Sequence, residues 1–189
     1  MSATETTTAA GTKLPTAGTW AIEPSHSSVE VVAKHLMMTK VRGLFTEFEG
    51  TVTVAEDVTD SAVDVTIQAA SIDTRNADRD GHLRSGDFLD VEAHPTITFR
   101  SSSVVPVQGD VYDIPGELTI RGVTKPVTLR AEYQGLTQDP WGNTRALLSA
   151  STEVDREAFD ITWNQALETG GVLVSKKLKV EIELQLVQA

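Results

Sequence analysis

The C-terminal segment alternates between apolar and polar side chains from residue 172 to residue 187. A period of two is typical of a β-strand that buries one face. In this segment only Lys176 interrupts an apolar series formed by Val174, Leu178, Val180, Ile182, Leu184 and Leu186. The same period recurs along the chain. It predicts about eight strands, at residues 18–23 running on into 28–37, and at 43–55, 60–70, 95–104, 111–121, 125–136, 144–154 and 172–187.

Short turns rich in Gly and Pro separate these strands, which indicates antiparallel neighbours. Eight one-sided strands remove their exposed edges by closing, and an eight-stranded barrel holds at most one small ligand. A flatter two-sheet sandwich is the alternative. Only residues 73–90 and 155–171 lack the alternation. We predict a short or broken helix in the first of these inserts, beginning at Asp73 or Thr74. The predicted fold is an all-β, eight-stranded antiparallel β-barrel with a short helical insert.

A chain of 189 residues with one continuous pattern is expected to form one domain. The first 17 residues are rich in Thr, Ala, Ser and Gly, so we predict a disordered tail at 1–17 and a barrel domain at 18–189. This tail lacks the charged start and apolar stretch of a secretory signal, which predicts a cytoplasmic protein. A net charge of −11 argues against nucleic acid and against a surface that adheres to anionic lipid. No apolar run is long enough to form a membrane anchor.

The absence of cysteine excludes disulfides and thiolate metal sites, and no pair of the four histidines has a metal-binding spacing. There is no nucleophile motif and no phosphate-binding glycine loop, so we predict neither a metal nor a cofactor. His35 shares the apolar phase of its strand and should therefore point into the barrel, where a polar group needs a partner. That partner is either a buried side chain or the polar part of a ligand.

The 73–90 insert contains the densest polar cluster. Arg79 and His82, with Arg84 nearby, could bind an anionic head group, although interleaved aspartates could equally pair with the arginines. Phe45, Phe99 and Trp163 are candidate apolar walls, and core packing is the alternative for each of them.

Eight segments of the chain together resemble the YceI-like family of lipid-binding proteins, over almost all of residues 18–187. They are residues 20–27 (WAIEPSHS), 31–35 (VVAKH), 43–50 (GLFTEFEG), 71–74 (SIDT), 79–90 (RDGHLRSGDFLD), 94–101 (HPTITFRS), 116–127 (GELTIRGVTKPV) and 155–161 (DREAFDI). Two features depart from the family pattern. Glu23 stands where Asp is frequent, and Val29, Val31 and Ala33 are smaller than the aromatic residues often found there.

The resemblance implies an extended, lipocalin-like barrel with a long apolar interior. It also implies that the interior binds polyisoprenoids or similar amphiphiles, with the polar head near one mouth. Many relatives are exported, some are linked to isoprenoid quinone traffic, and homodimers are common.

We therefore predict a non-enzymatic protein that carries, stores or sequesters a long apolar lipid such as a polyisoprenoid or an isoprenoid quinone. The expected partners are this small-molecule ligand and a second copy of the chain, in a homodimer. The candidate ligand-binding residues are His35, Phe45, Arg79, His82, Arg84, Phe99 and Trp163. One alternative is an enzyme acting on a lipid or polyketide-like substrate, with His35 and a nearby carboxylate as acid and base. Another is a filled barrel that acts only as an interaction module.

Overall fold

A computed structural model describes residues 7–189 and contains twelve strands and one α-helix within this range. The strands are β1 (Gly18–Ile22), β2 (Ser28–His35), β3 (Thr39–Phe45), β4 (Phe48–Val54), β5 (Ala62–Gln68), β6 (Ile72–Asp73), β7 (Thr96–Ser101), β8 (Val105–Gln108), β9 (Val111–Ile120), β10 (Val123–Gln138), β11 (Thr144–Asp155) and β12 (Lys177–Gln188). The helix is α1 (Ala77–Arg84), and short 3₁₀ turns cover Pro24–His26, Val58–Asp60, Ala69–Ser71 and Arg156–Phe159.

The strands close into one antiparallel barrel with eight walls, as predicted. Three walls each consist of two consecutive strand segments: β1 with β2, β3 with β4, and β5 with β6. Around the ring these walls are followed by β7, β9, β10, β11 and β12. Closure occurs because β12 pairs with both halves of the first wall, Val180 lying opposite Val31 and Leu186 opposite Ile22. The predicted lipocalin-like barrel is confirmed, and the two-sheet sandwich is not what forms.

Local hydrogen bonds explain where the walls bend. The Glu23 carboxylate accepts hydrogen bonds from the backbone N–H groups of Ser25 and His26 and so caps the turn between β1 and β2. The predicted strand 43–55 is wrong as a single segment. It divides at residues 46–47, where the Thr46 N–H turns away to the carbonyl of Ser71 at 3.2 Å. The last strand was predicted to begin at residue 172 but begins at Lys177, because Val172 pairs with Ala166 and Val174 pairs with His35 instead.

One end of the barrel is packed shut. Its packed core consists of Leu14, Trp20, Ile22, Val29, Phe45, Phe48, Val54, Ala69, Ile72, Ile97, Val104, Tyr112, Tyr133, Ala146 and Leu186. Leu14 belongs to the N-terminal segment, so the tail predicted to be disordered over residues 1–17 instead packs against the barrel over residues 7–17. Thr8 and Thr12 donate hydrogen bonds to the Asp110 carboxylate, and Tyr133 donates to the Lys13 carbonyl. Residues 1–6 lie outside the described residues.

The 73–90 insert contains the predicted short helix, but its N-terminal cap is Asn76 and not Asp73 or Thr74. The buried Asp80 carboxylate explains the shift, because it accepts hydrogen bonds from both the N–H and the hydroxyl of Thr74. Thr74 is therefore tied to the first turn of α1 from outside the helix. No helix within residues 7–189 has the length and apolar composition needed to cross a bilayer.

Candidate functional site: the barrel interior and its mouth

The inner face of the barrel changes character along its axis. Alternate residues of β10, β11 and β12 share the face that carries Tyr133, Ala146 and Leu186 of the packed core. Further from the closed end the same faces carry aliphatic and small side chains that are outside the packed core, and most of them are partly exposed: Val127, Leu129, Ala131, Ala150, Thr152, Leu178, Val180 and Ile182. This part of the inner face is therefore apolar and lies between the packed core and the open end.

Small residues lie on this part of the inner face where β10 and β11 meet. Ala131 lies directly opposite Ala150, and both side chains are on the inner face. Next to β10, strand β9 has a large ring over its inner face. The ring of Phe99 from β7 lies over Gly116, where a Cβ atom would come within 2.5 Å of Phe99 Cζ. Phe99 is buried but outside the packed core. Phe45 is part of the packed core and pairs with Ile72.

Two inserts leave the open end from opposite sides of the ring. The insert containing α1 lies between the β5/β6 wall and β7, and residues 156–176 lie between β11 and β12. In the ring order four walls separate these two gaps in either direction. Any contact between the inserts therefore spans the mouth.

Such a contact is present. His82 of α1 packs edge-on against Trp163 of the second insert, with ring centroids 4.7 Å apart. Phe88 completes the cluster, 5.0 Å from His82 and 5.3 Å from Trp163. His82 Nε2 also lies 2.8 Å from the Asp87 carboxylate. We call these three rings the aromatic clasp. The predicted site residues His82 and Trp163 are thus brought together across the mouth.

A buried arginine positions Trp163. The Arg156 side chain is 2% exposed and donates hydrogen bonds to the backbone carbonyls of Ser175, Ile161 and Trp163 at 2.8–2.9 Å. Burial lowers the pKa of this guanidinium, and the nearby Glu157 and Asp155 act in the opposite direction. Arg156 was not among the predicted site residues. The only signal was its place in the 155–161 segment, because nothing in a sequence reveals an arginine that binds carbonyls.

His35 is the last residue of β2, on the same inner face as Val29, and it is half-buried at the mouth. Its backbone pairs with Val174, and residues 173–174 in turn bond to Asn164 and Gln165. His35 is therefore joined through two short segments to the loop that carries Trp163. Within residues 7–189 the His35 ring makes no side-chain hydrogen bond, so both ring nitrogens are available to a ligand.

Arg79 and Arg84 lie on the helix as predicted, but both use their guanidinium groups locally. Arg79 donates to the hydroxyl and the carbonyl of Thr74 at 2.7 and 2.8 Å. Arg84 donates to the carbonyls of Ala70 and Ile72 at 2.7 and 2.9 Å. Both arginines thus anchor α1 to the β5/β6 wall. Neither alternative weighed from the sequence, an anion site or surface pairs with aspartates, describes these contacts.

The strongly shifted carboxylates lie elsewhere. Hydrogen bonds from Ser25, and then from His26, lower the pKa of Glu23 to about 2. Hydrogen bonds from the Asn143 side chain and backbone, and from Arg145, lower the pKa of Asp139 to about 2. Both residues stabilise turns, at the β1–β2 bend and at the closed end.

A cavity of about 360 Å³ lined by Thr51, Asp64 and Arg100, among others, lies apart from the mouth and contains none of the candidate residues.

Comparison with known proteins identifies the family. A YceI-like domain model matches residues 20–186. The chain belongs to the YceI-like family. A YceI protein from Salmonella newport is 44% identical over 141 residues, which are 74% of this chain and 73% of that protein.

Two solved structures have the same fold. Burkholderia cenocepacia BcnA superposes with a TM-score of 0.74 at 22% identity, covering 87% of this chain and 98% of BcnA. A polyisoprenoid-binding domain from Saccharophagus degradans, implicated in plant cell wall breakdown, gives 0.70 at 13% identity, covering 90% and 98%. At these identities the likeness concerns the fold alone.

Proposed function

We propose that this protein binds a long apolar amphiphile inside the barrel, as a carrier, storage or sequestering protein and not as an enzyme. The observation that carries the proposal is the inner face of β10–β12, where aliphatic and small side chains outside the packed core run from the closed end to the mouth. Burying an apolar chain against such a surface is favourable by about 25 cal/mol per Å². The polyisoprenoid-binding domain of the same fold supports a prenyl chain as the ligand.

The mouth supplies the polar part of the proposed site. His35 ends the inner face of its strand with both ring nitrogens available, and His82 lies across the mouth in the aromatic clasp. We assign His35 to the ligand head group and Trp163 to the first apolar segment below it. Arg79 and Arg84 support α1 and are not assigned to the ligand, because each guanidinium already donates two hydrogen bonds to residues 70–74.

The enzyme alternative gains no support from the geometry. A histidine base needs a group that orients it. Within residues 7–189 no carboxylate bonds to His35, and His82, which does contact Asp87, makes edge-on contacts with Phe88 and Trp163. No observation favours a catalytic function over binding.

The direct test is solvent extraction of the freshly purified protein followed by mass spectrometry. The double variant Ala131→Leu/Ala150→Leu is the matched control, because it fills the space between β10 and β11 without touching the mouth. We expect a stoichiometric prenyl lipid or quinone from the wild type and a large reduction from the variant. Equal amounts from both proteins would place the lipid outside the barrel and contradict the proposal.

A second measurement tests the head-group assignment. His35→Ala should weaken binding of the extracted lipid, whereas His94→Ala, a change of the same residue type outside the inner face of β2, should not. Unchanged affinity in His35→Ala would remove His35 from the site.

A further inference from the structure

The hairpin between β2 and β3 has an unusual tip. Leu36, Met37 and Met38 form the turn, at positions where Gly, Asn, Asp and Ser are normally found. They are 44%, 53% and 83% exposed. Leu36 and Met37 also have φ angles of 52° and 64°, in the left-handed region that side chains with a Cβ atom avoid. The chain therefore accepts both backbone strain and exposed apolar surface at this point.

The charges around the tip differ from those of the rest of the chain. Residues 31–46 contain Lys34, Lys40 and Arg42 and no Asp or Glu, in a protein with a net charge of −11. Lys34 lies directly opposite Lys40 in the β2–β3 pairing, an arrangement that repels. Arg42 pairs with Glu30 and Glu181, whereas neither lysine has a salt-bridge partner within residues 7–189. Two uncompensated cations thus stand directly beside three exposed apolar side chains.

The tip is at the open end of the barrel. The β2–β3 turn is on the same side as residues 156–176, and a Cβ atom at Gly171 would lie 3.2 Å from Met37 Cγ. The turn at residues 139–143, with Trp141 81% exposed, is at the closed end. It offers a natural control because it exposes a large apolar side chain at the other end.

We infer that residues 34–40 form a docking hairpin that inserts Leu36–Met38 into the interface of an anionic lipid bilayer while Lys34 and Lys40 contact its head groups. Apolar groups between basic residues are the combination that binds such an interface. Three side chains expose only a few hundred Å², too little for a stable protein interface, which needs about 800 Å² from each partner. The net charge keeps the rest of the surface away from the bilayer, so the contact is local and orients the mouth towards the lipid.

The absence of cysteine allows a site-specific test in the full-length chain. Met38→Cys and Trp141→Cys would each be labelled with nitrobenzoxadiazole and mixed with vesicles of phosphatidylglycerol and phosphatidylcholine, or of phosphatidylcholine alone. We expect a blue shift and increased emission only for the label at position 38 and only with anionic vesicles. No shift at position 38, or an equal shift at both positions, would overturn the inference. A shift that grows with protein concentration without vesicles would overturn it in favour of a second copy of the chain.

Charge variants test the electrostatic part. Lys34→Gln/Lys40→Gln should lower the partition coefficient on anionic vesicles about 25-fold, at about fivefold per lysine near the surface. The control Arg100→Gln/Arg130→Gln removes the same charge from other strands and should change it less than twofold. Equal losses in both variants would contradict docking through the hairpin.

This inference is related to the proposed ligand function, but the two can fail separately. Vesicles without prenyl lipid measure docking, and solvent extraction measures occupancy of the barrel. Docking with an empty extract would refute only the carrier function, whereas a filled barrel without docking would refute only the hairpin.

Discussion

Two alanines on the inner face of β11 distinguish an open barrel interior from a filled one. Ala146 is fully buried in the packed core, whereas Ala150 lies on the same face four residues nearer the mouth and outside that core. Their strand is the same, and the same change can be made at both positions. We predict that Ala146→Leu and Ala150→Leu change the free energy of unfolding in opposite directions.

The magnitudes follow from packing. Leucine adds three carbons, which at about 0.8 kcal/mol each are worth about 2.4 kcal/mol when they enter an empty apolar space. Fixing the side chain costs about 0.5–1 kcal/mol, so Ala150→Leu should stabilise the protein by about 1–2 kcal/mol. At Ala146 the added carbons have no room, and overpacking should destabilise it by about 1–3 kcal/mol. The two variants should differ by about 2–5 kcal/mol.

Urea denaturation of delipidated protein, monitored by circular dichroism, measures this difference through the transition midpoint at constant slope. Binding of a fluorescent prenyl analogue should fall in Ala150→Leu. If Ala150→Leu were as destabilised as Ala146→Leu, the interior at residue 150 would be packed, and the barrel would be the filled interaction module considered as an alternative.

Three further changes test the mouth and the turns. Trp163→Ala removes two ring contacts of the aromatic clasp, each worth about 0.5–1.5 kcal/mol. The release of a bound fluorescent lipid, measured by stopped flow, should therefore become about tenfold faster. An unchanged release rate would show that the clasp does not control access to the barrel. Arg156→Leu leaves buried carbonyls without donors, so it should lower the free energy of unfolding by about 3 kcal/mol and cause early proteolysis in residues 156–176. Arg156→Lys should not restore this stability, because an ammonium cannot reach the three carbonyls together. Folding lowers the pKa of Glu23 and of Asp139 to about 2, so the stability that these carboxylates contribute is complete above their ordinary pKa values of 4.5 and 3.8 and is lost as the pH falls towards 2. The loss of stability from pH 5 to pH 2.5 should therefore be smaller in Asp139→Asn than in the wild type. An identical pH profile would show that the Asp139 carboxylate does not contribute to this loss.

The barrel was predictable because its walls are half-buried. In a strand with one face towards an apolar interior, every second residue is apolar, as Val180, Ile182 and Leu184 are. The signal fails where a strand leaves the ring. Residues 172–174 carry the apolar pattern ahead of β12, but Val172 pairs with Ala166 and Val174 with His35, so the predicted strand began five residues too early. The strand break at residues 46–47 is similarly set by a long-range bond to Ser71.

The mouth was predictable only in part. His35 could be placed on an inner face by counting from Val29, and His82 and Trp163 were recognisable as unusual residues in irregular segments. That these two rings meet depends on the ring order of the walls, which no local pattern encodes. The arginines show the same limit, because Arg79, Arg84 and Arg156 all bind backbone carbonyls, and a carbonyl has no sequence signature.

The distribution of packing between the two ends has a consequence for how the barrel would exchange the proposed ligand. The closed end combines the packed core with the N-terminal segment, whereas the mouth depends on three rings, one buried arginine and a strained hairpin. Segments with few apolar contacts open at a lower free energy than the core does. The mouth can therefore open while the closed end stays folded, and hydrogen exchange should be faster in α1 and residues 156–176 than in β1 and the C-terminal half of β12. Uniform protection at both ends would mean that ligand entry requires unfolding of the whole barrel.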